Sequence, residues 1–408
     1  MYFWTPRLIK LTAGERFATC FTPDGVPAHY PTMLALNYRR KNSASSTIEQ
    51  YMHHLVHFER CCIYNGNDII RSMESGQYPS EADAEMLADA AGITTKALRR
   101  FSARKVVRFP KSWGTDERVS NQTKSGRLKI FADLIDLVGK CYESELKREE
   151  RKPYQELRLE VVERLKEARP RIASLNRVFG GPTHQQLGRL TRFLMEFNPN
   201  DTAAVVWEKP ELNERNWAIA RTLIECGLRN SELRGLKVSD VDLNKGELRV
   251  LRRPDDKDDP RIHEPNAKTY ERRIPISDDL CQFIENYIFG YGSEAAERSG
   301  SPFLFLSHAK NALGQPLSKK TIERVVQDIG AHLEIGCLRP HDFRHSWMQN
   351  LADLSIRNGI EPAEFTRMAN NLGGWSYLST MATEYRGDQL AKYAFEKGLK
   401  VQEDRFDG

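Results

Sequence analysis

The chain has no Cys-x-x-Cys pair and no Cys/His cluster at zinc spacing. Its seven cysteines, Cys20, Cys61, Cys62, Cys141, Cys226, Cys281 and Cys337, are odd in number. They read as reduced thiols of a cytoplasmic protein, and no structural metal and no cofactor is expected. No apolar run approaches the roughly 18 residues that would span a bilayer, so no membrane partner is expected. The start, Met-Tyr-Phe-Trp-Thr-Pro-Arg, lacks a basic segment followed by an apolar one, so it does not read as a signal peptide. Internal repeats and low-complexity segments are also missing.

At 408 residues the chain exceeds the size at which one core keeps growing, so two domains are expected. Hydrophobic residues make up 40% and charged residues 29%, enough apolar material for two cores in a soluble globular protein. The net charge is only +5, from 61 Lys+Arg against 56 Asp+Glu, so the placement of charge matters more than its sum.

Residues 1–25, with Gly14, Pro23 and Gly25, read as an irregular or β-like N-terminal extension. A helical domain follows over 26–142. Ser46-Thr47 is a candidate cap for a helix with Ile48, Tyr51, Leu55 and Phe58 at helical spacing. Strong helix formers fill 81–90, and another helix is expected from Asn121 to Lys140. Residues 143–180 form a charged linker, dense in both signs, with a long solvated helix that Pro153 can start and Pro170 stop. Gly180-Gly181-Pro182 is the clearest break. Beyond it a mixed domain spans 181–385, with helices from Thr183 and over 213–227, then strand-like segments 247–252 and 272–276. Those strands flank a polar stretch, Pro254–Asn266. Residues 386–408 form a C-terminal tail with Leu390, Tyr393, Ala394 and Phe395 in a roughly amphipathic pattern, which Gly398 would weaken or end.

Charge is concentrated between Lys96 and Lys129. Lys96, Arg99, Arg100, Arg104, Lys105, Arg108, Lys111, Arg118, Lys124, Arg127 and Lys129 are opposed only by Asp116 and Glu117, with Phe101, Phe109 and Trp113 interleaved. Such a stretch can be a solvated face. With so few compensating acids, a phosphate-contacting surface is the better reading, and Arg99, Arg100, Arg104, Lys105, Arg108, Lys111, Lys124 and Arg127 are the candidate DNA contacts.

Four segments of the second domain carry chemistry: Gly227-Leu-Arg-Asn-Ser-Glu-Leu233, Ala267-Lys-Thr-Tyr-Glu-Arg-Arg-Ile-Pro275, His341-Asp-Phe-Arg-His345, and Leu372 to Tyr385. Phosphoryl transfer to a protein hydroxyl needs charge stabilised on two non-bridging oxygens, and Arg forks suit that geometry better than a Lys point charge. A phenol must be activated before it attacks. The leaving 5′ oxygen needs an acid. Two Arg, one or two His, one Lys and a Tyr fill these roles without metal. Singly, each piece has a bland reading: Arg229-x-x-Glu232 as a surface ion pair, Lys268 as a surface lysine, His341-x-x-Arg344 as structural, Tyr385 as one tyrosine of fourteen. Their ordered conjunction is what points to a site.

That conjunction resembles the tyrosine recombinases, or phage integrases. Arg229, Glu232, Lys268, His341, Arg344, Trp375 and Tyr385 match the family pattern in order, and Leu228, Ser231, Leu233, Asp342 and His345 match around them. The likeness covers about 183–390. Ser43, Thr47-Ile48, Tyr51, Leu55 and Phe58 carry a looser likeness to the family's core-binding domain over 26–140. The chain departs from the pattern in three places: it is longer between His341 and Trp375, around 356–370, it is about one residue longer from Trp375 to Tyr385, and its hairpin is enlarged by 254–266. Lys257 is therefore the fallback for Lys268, Gly374 the alternative occupant of the Trp375 position, and Tyr377 and Tyr393 the fallback nucleophiles.

The resemblance implies a mainly α fold with a small antiparallel sheet: a helical core-binding domain, then a mixed α/β catalytic domain, closing on double-stranded DNA. It implies a site-specific recombinase working through a 3′-phosphotyrosine on Tyr385. Arg229 and Arg344 would stabilise charge, and His341 would assist proton movement. Trp375 would pack against or donate to the phosphate, and Lys268 would serve as the acid. It also implies four protomers on two duplexes, with helper proteins from the same element as further partners and the tail either exchanged between protomers or folded back. A type IB topoisomerase-like or hairpin-forming enzyme, and a non-catalytic DNA-binding accessory protein, stay open as alternatives.

Overall fold

The computed structural model describes residues 3–103, 114–171, 181–196, 206–267 and 269–406, with the side chains at 101–103 and 396–406 left aside. Arg104, Lys105, Arg108, Lys111 and Lys268 lie outside the described residues. Two compact units divide the chain, Met1–Arg177 and Val178–Gly408.

The first unit opens with a hairpin of β1 (Thr5–Lys10) and β2 (Arg16–Phe21), with Thr5 opposite Phe21 and Lys10 opposite Arg16. The N-terminal stretch is thus regular β structure. It is also no appendage, because Ala18 and Cys20, on one face of β2, are buried in the core of the unit. The helices are α1 (His29–Arg40), α2 (Ser45–Tyr64), α3 (Ile69–Glu74), α4 (Glu81–Ala91), α5 (Thr95–Ala103), α6 (Asn121–Glu143) and α7 (Arg148–Glu167). The α2 helix starts at Ser45 behind Ala44, so Ser46-Thr47 lies inside its first turn, and no side chain caps it.

The expectation of a solvated linker helix over 143–169 is corrected. Helix α7 packs along α6 and buries Tyr154, Arg158, Val161, Val162 and Leu165. Those positions form a stripe at 3.6-residue spacing that the dense charges around it obscure. Arg158 seals the contact by pairing with Asp136 at 2.6 Å and Glu143 at 3.3 Å.

The second unit contains α8 (His184–Met195), α9 (Pro210–Cys226), α10 (Asn230–Gly235), the antiparallel sheet β3 (Val241–Asp242), β4 (Glu247–Val250) and β5 (Arg272–Pro275), then α11 (Asp278–Phe289), α12 (Tyr291–Ser299), α13 (Lys319–His332), α14 (Pro340–Arg357), α15 (Pro362–Gly373) and α16 (Met381–Phe406). Thr183 caps α8 in a reciprocal box with Gln186. Helix α9 is buried almost all round, and Trp217, Ile219 and Leu223 pack with Leu248 and Ile274 of the sheet in the main core. A smaller cluster of Met348, Ala352, Phe365, Ala369 and Ala382 locks α14, α15 and α16 together.

The β4–β5 connection is pinned to the rest of the unit. Lys237 pairs with Asp256 at 2.9 Å and Asp258 at 2.7 Å, while Arg261 donates to the carbonyls of Leu317 at 2.8 Å and Arg234 at 3.1 Å. Helix α16 runs through Gly398 unbroken and packs on α14 and α15 of its own unit. Among the described residues no helix is long and apolar enough to cross a membrane.

Candidate active site

Helix α9 stops at Gly227, whose φ of +57° is left-handed. A Cβ there would also sit 2.4 Å from the ring of Trp347, so glycine alone fits. The turn delivers Arg229 to the N-cap of α10. Its backbone N–H donates to Glu232 Oε2 at 3.1 Å and its Nη1 to Glu232 Oε1 at 3.1 Å.

Glu232 is 3% exposed and anchors more than Arg229. It also accepts from Thr269 Oγ1 at 2.7 Å and from Arg272 Nη2 at 2.8 Å. Burial works against its charge, but the Arg272 cation, with the Arg272 and Thr269 hydrogen bonds, prevails and holds the carboxyl at about 2. Arg272, to which the sequence reading gave no role, donates from Nε to Leu372 O at 2.7 Å and from Nη1 to Thr269 Oγ1 at 3.0 Å. It thereby fastens β5 to the end of α15. Gly374 closes that joint in the left-handed region (φ +66°), and a Cβ on it would meet Arg272 and Thr269 at 2.7 Å.

Pro340 opens α14 and places His341, Arg344 and His345 in its first two turns, at i, i+3 and i+4 on one face. Arg344 is buried. It donates from Nη1 to Gly227 O at 2.8 Å and from Nη2 to Gly373 O at 2.7 Å, and its guanidinium carbon lies 4.8 Å from the Trp375 ring centre. A guanidinium offers five donors in a fork, so these anchors fix its plane without exhausting it. Burial, then the neighbouring Arg229 charge, pushes Arg344 down to about 9, still a cation at neutral pH.

Tyr385 lies in the second turn of α16, half-buried, with its hydroxyl hydrogen-bonded to Nδ1 of His345. The His341 and His345 rings meet edge to face at 4.4 Å. The imidazole touching the phenol is therefore His345, not the expected His341. Desolvation, then His345, Arg344 and Arg229, pushes His341 down to about 4. Burial also lowers His345. Burial raises the Tyr385 phenol to about 12, while Arg344 and Arg229 both pull against that rise. Both guanidiniums therefore act electrostatically on the one phenol.

The fallbacks sit elsewhere. Tyr377 is 84% exposed on the α15–α16 loop. The Tyr393 hydroxyl is engaged by Asp353 and by Arg357 Nε at 3.1 Å. Lys257 is exposed on the pinned β4–β5 connection. Among the described residues no group of three or more His, Cys, Asp or Glu is arranged to hold a metal ion.

Of the expected DNA contacts, Arg99 and Arg100 are exposed on α5, with Arg100 paired to Glu117 at 3.2 Å, and Lys124 is half-buried on α6. Arg127 is corrected. It is 8% exposed, and its Nη1 is spent on Ile93 O at 2.6 Å, Ala91 O at 3.1 Å and the His57 ring at 3.1 Å. It braces the α4–α5 turn instead of facing solvent.

Part of the second unit is similar in sequence to known proteins. Residues 198–389 match the model of the phage integrase family. That segment, just under half of the chain, is similar to the phage integrase family. Curated relatives of this domain include a tyrosine recombinase XerD of Staphylococcus haemolyticus, 28% identical over 42% of this chain and 52% of its own length. Another is a tyrosine recombinase XerA of Pyrococcus furiosus, 31% identical over 42% of this chain and 50% of its own. The chain thus spans about half the length of these relatives. Among solved structures, a XerH site-specific recombinase bound to palindromic difH substrate aligns over 90% of this chain and 84% of its own at 14% identity and TM-score 0.48. The signals missed in the sequence were Thr269 and Arg272 inside the hairpin motif and His345 one helical turn beyond His341.

Proposed function

We propose that the protein is a site-specific DNA recombinase in which Tyr385 attacks a backbone phosphate. The observation that carries this reading is the placing of one phenol, hydrogen-bonded to an imidazole, in the field of both Arg344 and Arg229. The Tyr385 oxygen bonds to phosphorus, the bond from phosphorus to the 5′ oxygen breaks, and the 3′ strand end stays linked to Tyr385. Arg344 and Arg229 carry the charge that grows on the non-bridging oxygens. Lys268 gives the leaving 5′ oxygen its proton. A second 5′ hydroxyl then reverses the steps on a new partner strand, so the bond energy is kept in the phosphotyrosine. The first unit supplies phosphate contacts through Arg99, Arg100 and the half-buried Lys124. Four protomers on two duplexes would complete the exchange.

The test is covalent trapping. Genomic DNA of the source organism, nicked with a nuclease so that the short fragment bearing the freed 5′ hydroxyl is lost after cleavage, is incubated with the full chain and denatured. DNA-linked protein is expected, with the adduct on the peptide carrying Tyr385. It should vanish in Tyr385→Phe. No adduct from the parent chain, or one that persists in Tyr385→Phe, refutes the assignment. Exchange of flanks between two copies of the recovered site, absent simple plasmid relaxation, separates recombination from topoisomerase-like action.

A further inference from the structure

We infer that His345 is a catalytic residue, the group that takes the phenolic proton as Tyr385 attacks and returns it when the phosphotyrosine is resolved. This rests on the recombinase reading and deepens it.

A phenol held up by burial needs an acceptor within hydrogen-bond reach. Among the described residues the Tyr385 hydroxyl bonds to one such group, Nδ1 of His345. The neighbouring carboxylates on α16, Asp388 and Glu384, act on Tyr385 only through space and oppose its ionisation. His341, the residue of the pattern expected to help the phenol, meets the His345 ring and not Tyr385.

The contact has a definite chemical form. When the phenol donates, Nδ1 presents its lone pair and the ring proton sits on Nε2. Burial, and the nearby Arg344 and Arg339 cations, favour that neutral ring at neutral pH, with Asp342 pulling the other way. Proton transfer creates an imidazolium beside a phenolate just as that phenolate is consumed at phosphorus. No charge is then left stranded, because the transferring phosphate brings its own negative charge next to the imidazolium. The balance is simple: the Oη–H bond breaks, an Nδ1–H bond forms, Oη–P forms, and P–O5′ breaks with its proton from a separate acid. Geometry supports a working base over a simple brace. Tyr385 already has its place fixed by the cluster around Phe365 and Ala382, so the hydrogen bond is not needed to hold the helix.

The test uses the DNA site recovered by covalent trapping and four full-length variants. His345→Asn keeps a hydrogen-bond acceptor close to the Nδ1 position but cannot take up a proton. His345→Ala removes both. The third carries 3,5-difluorotyrosine, a more acidic phenol, at position 385, and the fourth combines it with His345→Asn. Thermal unfolding of each confirms folding, and a variant that fails to fold is replaced by the other. Adduct formation in His345→Asn should slow about 100-fold or more, as loss of a general base does. With difluorotyrosine the same substitution should cost about tenfold less, because the phenol then needs less help. Exogenous imidazole should partly restore His345→Ala. A His345→Asn variant as fast as the parent, or a deficit unchanged by the acidic phenol, overturns the inference while the parent's adduct keeps the recombinase reading intact. An absent adduct in the parent overturns both.

Discussion

Glu232→Gln is the sharpest test of how the site is held together. The substitution keeps shape and hydrogen-bonding atoms close to those of a protonated glutamate, and removes only the charge that faces Arg272 and Arg229. The carboxyl is nearly fully buried and held at about 2, against an ordinary 4.5. Each unit of such a shift corresponds to ~1.4 kcal/mol, so the charged form contributes about 3 kcal/mol at neutral pH. The folded value is the depressed one, so this stability is present above pH 4.5 and fades as pH falls toward 2. Linkage then makes the parent about 3 kcal/mol more stable than Glu232→Gln at pH 7, and only about 1.5 kcal/mol more stable at pH 3. Urea unfolding followed by tryptophan fluorescence reads mainly the second unit, which holds Trp207, Trp217, Trp347 and Trp375 of the six tryptophans. Equal stabilities at pH 7, or a gap that stays constant down to pH 3, would refute the account. Background carboxylates titrate in both proteins and cancel in the difference.

Other outcomes follow from the same geometry. Arg344→Lys should slow adduct formation by about 100-fold to 1,000-fold at unchanged DNA affinity, since a compact ammonium lacks the planar fork that spans the Gly227 and Gly373 carbonyls and still presents paired donors to a phosphate; single-turnover cleavage rates check it. Gly227→Ala should lower stability by more than about 2 kcal/mol in the same urea assay, because a left-handed alanine alone costs about 1–2 and its Cβ would overlap Trp347. Arg99→Ala should reduce the slope of log affinity against log salt by about 0.9 in a DNA titration. Arg127→Met should leave that slope unchanged and destabilise the first unit, because it strips the brace from the Ala91 and Ile93 carbonyls.

The parts that were legible in the sequence share one property: their chemistry is local. Gly227 after an apolar helix, Pro340 opening α14, and the i, i+3 spacing of His341 and Arg344 each encode a turn or a face within a few residues. The illegible parts depend on partners far along the chain. Arg272 sits in a strand among other arginines and looks like any of them until Leu372, a hundred residues on, presents a carbonyl to its Nε. Arg127 reads as part of a basic surface until the chain folds His57 and the α4–α5 turn around it. The stripe on α7 is masked because its buried members include an arginine, Arg158, which is apolar in stem and charged at its tip.

These long-range contacts explain why the site is assembled as it is. Arg344 ties the end of α9 to the end of α15 through Gly227 O and Gly373 O, and Arg272 ties β5 to the same end of α15 through Leu372 O. Glu232 joins Arg272 to Arg229. The two cations that act through space on the phenol are thus held by backbone carbonyls and by one buried carboxylate, not by surface ion pairs that salt would weaken. A guanidinium fixed this way does not have to reorganise when a phosphate arrives, and its donors already point in fixed directions. The same economy limits what substitution can do at the site: replacing either arginine disturbs a joint between elements as well as a charge, so only variants that keep the joint, such as Glu232→Gln at low pH, can separate the two roles.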